Sequence, residues 1–108
     1  MNDKANETAN DIANDIANDK AVLIDVRSPM EFAAGHLPQA INVPYDRIQE
    51  IVAVVGQPAA APPLVLYCQS GTRSMIACTV LRQLGFQRLT NAGGIQALAM
   101  RLADGETF

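Results

Sequence analysis

The chain has 108 residues, 49% of them hydrophobic and 18% charged, with a net charge of −3 and a pI near 4.9. That length buries one modest core and not two, and the near-average composition excludes a fibrous or wholly disordered chain. There is no block of Lys or Arg for nucleic acid or an anionic membrane, no run of the ~18 apolar residues of a membrane span, and no signal peptide, so a soluble, cytoplasmic protein with neither partner is expected.

Residues 1–20 are rich in Asn, Asp and Ala, and Asn10-Asp-Ile-Ala is followed at once by Asn14-Asp-Ile-Ala. The segment reads as low complexity, yet Ala9, Ile12, Ala13, Ile16 and Ala17 fall at helical spacing, so a docked helix competes with a tail. The folded domain is expected over residues 21–108. Ala21-Val-Leu-Ile-Asp-Val is a continuous apolar run of the kind buried in a parallel strand. Ser28-Pro-Met-Glu31 then supplies an N-cap, a proline in the first turn and a capping-box glutamate, with Gly35 as the stop of a short helix.

Residues 40–43 read as a second strand before Pro44. Ile48, Ile51, Val52 and Val55 form the inward stripe of a helix closed by Gly56. Three prolines make residues 57–63 a loop, after which residues 64–67 are a strand. Residues 73–84 are predicted helical, with Ile76, Ala77, Val80, Leu81 and Leu84 inward and Gly85 as the stop. A weaker strand at 87–89 precedes a last helix marked by Ile95, Leu98, Ala99 and Leu102. Strands alternating with helices predict a small α/β domain with a mostly parallel sheet.

Such sheets bind ligands beyond the carboxyl ends of their strands, and Cys68 stands at one of those ends. Cys68-Gln-Ser-Gly-Thr-Arg73 then enters a helix. Backbone N–H groups of Gln69, Ser70, Gly71 and Thr72, with the free donors of the helix start, converge as an anion cradle. That field favours thiolate and makes Cys68 a nucleophile. Ser70 and Thr72 add hydroxyls, Gly71 permits the tight backbone, and Arg73 adds a fixed charge. The plain alternative is a small buried hydrophobe at a strand end.

Cys78 lies mid-helix and reads as structural. Two cysteines and the lone His36 lack metal-ligand spacing, so no metal or other cofactor is expected. His36 packs or hydrogen-bonds near the Gly35 turn more readily than it serves Cys68 as a base. Asp25 and Arg27 end a strand on the same sheet edge: Arg27 is expected to attract substrate, and Asp25 either shapes the site or makes a structural ion pair.

Asp25-Val-Arg27, Glu31-Phe-Ala-Ala-Gly-His-Leu-Pro-Gln-Ala-Ile-Asn-Val-Pro44, Tyr67-Cys-Gln-Ser-Gly-Thr-Arg-Ser74 and the pair Gly93-Gly94 resemble the single-domain rhodanese-like sulfurtransferases. The resemblance implies a five-stranded, mainly parallel sheet flanked by helices. It also implies thiosulfate sulfurtransferase activity, in which a Cys68 persulfide carries sulfur from thiosulfate or a related small anionic donor to cyanide or a thiol, or between protein partners. Gln69, Ser70, Gly71, Thr72, Arg73 and Arg27 would bind substrate. A Cys-dependent phosphatase or arsenate reductase is a further alternative, weakened by loop length: related enzymes of that kind use a Cys-x5-Arg loop, whereas Cys68 to Arg73 is Cys-x4-Arg, a cradle that suits a single sulfur. The Trp that often follows the family's Gly-Gly pair is absent, and the loop has no charge before Arg73. Both departures keep open a persulfide carrier or docking module with little turnover on free thiosulfate.

Overall fold

The computed structural model describes residue 16 and residues 20–103. Four parallel strands, β1 (Val22–Asp25), β2 (Ile41–Asn42), β3 (Leu64–Cys68) and β4 (Leu89–Gly94), lie in the order β2-β1-β3-β4. Their connections hold helix α1 (Pro29–Ala34), a 3-10 segment (Tyr45–Ile51) running into α2 (Val52–Val55), and α3 (Thr72–Gln83), with α4 (Ile95–Ala103) after β4.

The period of two along the strands divides the core between the two faces of the sheet. Ile24, Leu64, Leu66 and Cys68 point to one side, where Ile48 and Ile51 of the 3-10 segment and Ala77, Cys78 and Leu81 of α3 cover them. Leu23, Val65 and Tyr67 point to the other, under Leu37 and Leu98, with Ile95, Ala99 and Leu102 of α4 packed alongside. Ile16 is buried in this second cluster. The rest of the segment 1–20, apart from Lys20, lies outside the described residues, so the choice between docked helix and tail falls there.

The expectation of five strands is corrected to four among the described residues. Within the loop 57–63, three prolines lack the N–H donors that a strand needs. The last strand also begins at Leu89 and runs to Gly94, beyond the predicted 87–89. Thr-Asn-Ala-Gly-Gly has little strand propensity, and pairing with β3 imposes the extended form. β2 is shorter than predicted because Pro44 ends it, although Val43 and Tyr45 still donate to the carbonyls of Asp25 and Val26.

The helix expected around residues 48–55 divides into a 3-10 segment and a single α-turn, with Arg47 non-helical at φ −131°. Ile48 and Ile51 are buried all the same, since a spacing of three serves both helix types. In α3 the buried face is Ser74, Ala77, Cys78 and Leu81; Ile76 and Leu84 are exposed, against expectation. The inward stripe is rotated because it includes Ser74, a small polar residue that a hydrophobicity reading passes over. α1 begins as predicted: Ser28 accepts from the Glu31 N–H, Glu31 accepts from the Ser28 N–H, and Pro29 occupies the first turn.

Candidate active site

β3 delivers Cys68 to the carboxyl edge of the sheet with no exposed surface. The chain then turns back over the sulfur. Gly71 caps α3 at φ +102°, a left-handed conformation that glycine adopts without penalty. This bend aims its N–H at Cys68 Sγ, 2.9 Å away. Ser74, in the first turn of α3, brings its N–H to 3.4 Å and its hydroxyl to 3.5 Å from the same sulfur. Burial by itself would raise the Cys68 pKa, but the Ser74 hydroxyl and the N–H groups of Ser74, Gly71 and Ser70 outweigh it and leave the thiol below its ordinary value. Cys78 has no such donors, and burial pushes its thiol up. Both cysteines are free.

The end of β4 is the floor of this loop. A Cβ on Gly94 would stand 2.7 Å from the Gln69 carbonyl oxygen, and one on Gly71 would stand 3.3 Å from Gly93 Cα. The strands fall out of step here: Leu66 pairs with Asn91 and Cys68 with Gly94, two residues along β3 against three along β4. This bulge, with Gly93 at φ +85°, breaks the alternation just beyond Asn91. Asn91 Oδ1 accepts from the Ser74 hydroxyl at 2.6 Å and from the Gly93 N–H at 3.1 Å.

The two arginines singled out in the sequence are both engaged by carboxylates. Arg73 makes a two-pronged pair with Glu31 of α1, at 2.7 and 3.0 Å. That pair holds the Glu31 carboxyl down at about 2, and the same carboxylate raises the Arg73 pKa. Arg27 is buried: Nη2 lies 2.7 Å from the Asp25 carboxylate and Nε 3.0 and 3.1 Å from its two oxygens. The guanidinium also donates to the Gly35 carbonyl at 2.6 Å and reaches Gln69 Oε1 at 3.4 Å. Of the two roles open to Asp25, the observed one is the ion pair.

Gln69, Ser70 and Thr72 are exposed along the loop. His36 is exposed too, stacked on Phe32 with ring centroids 3.7 Å apart and Nδ1 3.0 Å from the Phe32 carbonyl. A cavity of about 180 Å³ opens beside the loop, lined by Val26, Ser28, Tyr45, Arg47 and Arg73 among others. Two larger clefts, of about 500 and 530 Å³, include no loop residue. Among the described residues, no three His, Cys, Asp or Glu side chains gather as metal ligands, and no helix is long and apolar enough to cross a membrane.

Sequence reasoning missed Ser74, Asn91 and the second role of Glu31. Ser74 lay inside the recognised motif, one residue beyond Arg73, and its place in the first helical turn was the available signal. Asn91 and the Glu31 to Arg73 pair gave no local signal, because their partners are 17 and 42 residues away.

The Rhodanese-like domain family matches residues 8–100. The chain is 33% identical over 82 residues to the thiosulfate sulfurtransferase PspE of Escherichia coli K12, covering 76% of this chain and 78% of that protein. It is 35% identical over 75 residues to the thiosulfate:glutathione sulfurtransferase of Saccharomyces cerevisiae, covering 60% of this chain and 54% of the relative. Among solved structures, a human single-domain sulfurtransferase superposes with a TM-score of 0.66 at 29% identity, over 83% of this chain and 89% of the other. A family match across most of the chain, on a fold that superposes so fully, fixes the lineage, and the chain belongs to the rhodanese-like family.

Proposed function

We propose that the protein is a rhodanese-type sulfurtransferase that carries sulfur as a persulfide on Cys68. The observation that supports this best is the convergence of the Gly71 N–H, the Ser74 N–H and the Ser74 hydroxyl on one buried sulfur. Three donors around a single atom favour thiolate over thiol, and they suit a sulfur anion left in the same place. The Cys68 thiolate attacks the outer sulfur of thiosulfate, the S–S bond of the donor breaks, and sulfite leaves with the bonding pair. The product is Cys68-S-S⁻. Attack of cyanide or a thiolate on its outer sulfur breaks the new S–S bond, forms thiocyanate or a persulfide, and returns the Cys68 thiolate.

Gln69, Ser70, Gly71 and Thr72 have the role of a cradle for donor and persulfide, with their N–H groups as the binding elements. Because Cys68 exposes no surface, the donor reaches Sγ only as this loop yields. Arg73 and Arg27 act chiefly through placement: each guanidinium is already engaged by a carboxylate, so their charge reaches an incoming anion in reduced form. The same pairing disfavours phosphoryl transfer, for which an arginine must be free to grip phosphate oxygens.

Incubation with thiosulfate followed by intact-mass measurement is expected to show a gain of one sulfur that maps to Cys68, and cyanide is expected to remove it as thiocyanate. Unchanged thiocyanate production by Cys68→Ser would refute the assignment.

A second reading has its own observation, namely that Arg27 and Arg73 are each paired with a carboxylate. A small dianion then gains little attraction, and a protein persulfide that docks over the loop is the better donor. In that case sulfur loading from a persulfidated protein outpaces loading from thiosulfate at equal concentration; the opposite order returns the first reading.

A further inference from the structure

The Ser74 hydroxyl has one proton and three neighbours able to accept it. The Gly71 carbonyl lies at 3.1 Å, Asn91 Oδ1 at 2.6 Å and Cys68 Sγ at 3.5 Å. The orientation of the Asn91 amide follows from its other contacts: Oδ1 accepts the Gly93 N–H at 3.1 Å while Nδ2 faces the Gly71 carbonyl at 3.4 Å. Turned over, the amide would set an NH2 group against the Gly93 N–H. The shortest contact therefore points the Ser74 proton at Asn91, away from the sulfur.

We propose that Asn91 is a positioning residue that competes with Cys68 for the proton of the Ser74 hydroxyl, and so limits the thiolate that the loop sustains. With Cys68 protonated, Ser74 donates to Asn91 Oδ1 and its oxygen can accept the thiol S–H. When that S–H proton leaves to solvent, the Ser74 O–H turns towards Sγ. It gives up Asn91 Oδ1, which keeps the Gly93 N–H. No covalent bond beyond the S–H changes. Restraint of this kind suits a carrier: a sulfur held less firmly as an anion is more nucleophilic per thiolate.

Among the described residues, the charged and titratable groups around the loop include Asp25 and Arg27 at the end of β1, Glu31 of α1, Tyr45 and Arg47 of the 3-10 segment, Tyr67 of β3 and Arg73 of α3. None of them touches Asn91 in a hydrogen bond or ion pair, so substitution there changes the hydroxyl and not the charges. Asn91 is also exposed, which favours folding of its variants.

The inference rests on Cys68 as the reactive thiol, and its test needs neither donor nor turnover. The pKa of Cys68 is read from its 13Cβ shift across pH in cysteine-labelled protein, with the two signals assigned by Cys68→Ser. Asn91→Ala and the bulkier Asn91→Leu are each expected to lower the Cys68 pKa by about 0.5 to 1, the scale of one hydrogen bond, which is an increase of about three- to tenfold in its acid dissociation constant. Ser74→Ala is expected to raise it, and in that background Asn91→Ala should add nothing, because no hydroxyl is left to redirect. A rise or no change in the Asn91 variants, or a full shift in the double variant, overturns the proposal. If the pKa moves as expected while no sulfur loads onto Cys68, the sulfur-carrier reading fails and the positioning role of Asn91 stands.

Discussion

Cys68 and Cys78 are both buried, and their thiols move in opposite directions, so burial is not what makes one of them a nucleophile. The difference lies in donors, and Ser74 supplies two of them. Removing its hydroxyl isolates the effect, because each acceptor it serves has another partner: Asn91 Oδ1 keeps the Gly93 N–H, and the Gly71 carbonyl keeps the Met75 N–H. No buried polar group is orphaned, so stability should hardly change. Catalysis should change. With the Cys68 pKa held below its ordinary value in the fold, more of the thiol is ionised at neutral pH than in a free cysteine, and loss of one donor moves its titration upward. For Ser74→Ala the acid limb of the pH–rate profile is expected to shift up by about 0.5 to 1, slowing sulfur loading along that limb by about three- to tenfold, with the thermal midpoint nearly unchanged. An unmoved acid limb would remove Ser74 from the chemistry.

At the scale of elements, the loop is held from two sides. Beneath it, the end of β4 leaves no room at Gly94, where a methyl would stand 2.7 Å from the Gln69 carbonyl, so backbone must move. Gly94→Ala should cost about 1–3 kcal/mol of stability by overpacking and slow sulfur loading by at least about tenfold, since the displaced loop takes its N–H donors with it. Wild-type loading rates in this variant would show that the floor does not set the cradle. Beside the loop, Glu31 caps α1 and clamps Arg73 at the start of α3. Its carboxyl is lowered from 4.5 to about 2, so this stabilisation is complete above 4.5 and is lost as pH falls through 2. Denaturant titrations between pH 5 and 2 should therefore lose less stability on acidification in Glu31→Gln than in the wild type; parallel curves would exclude the clamp.

What the sequence disclosed at this scale is what neighbouring residues control. The capping box at Ser28 and Glu31, the glycine at the head of α3 and the stop at Gly85 were legible because each acts within a turn of itself. The cysteine at the strand end was legible for the same reason. The β4 floor was not: Thr-Asn-Ala-Gly-Gly carries no strand signal, and only its pairing with β3 makes it a strand. The inward face of α3 was misjudged at Ile76 and Leu84 because hydrophobicity cannot see that Ser74 turns in to serve the site while Cys78 packs in the core. The partner of Arg73 depends on topology, because 42 residues separate it from Glu31, whereas Asp25 lies two residues from Arg27 and an ion pair was one of its two expected roles.

Across the whole molecule, the Asp25 to Arg27 pair joins three separate pieces of chain. Asp25 is fully buried and accepts from the Arg27 backbone N–H as well as from its guanidinium, which continues to the Gly35 carbonyl at the end of α1 and to Gln69 in the loop. A buried pair is weak evidence for stability as such, since desolvation offsets much of the attraction, but removing one partner strands the other. Asp25→Ala should therefore cost about 3–5 kcal/mol, a large share of the 5–15 kcal/mol typical of such a domain. The double variant Asp25→Leu with Arg27→Met tests what the pair is for. It strands no charge and fills a similar volume, so its stability is expected to stay within about 2 kcal/mol of the wild type, while the tether from β1 to Gly35 and Gln69 is lost. If the pair serves placement, this variant folds and loads sulfur more slowly, with the loss greater for thiosulfate than for its own Cys68 pKa to explain. If it loads sulfur at the wild-type rate, the pair is a structural joint only, and the loop holds its geometry through α3 and β4 alone.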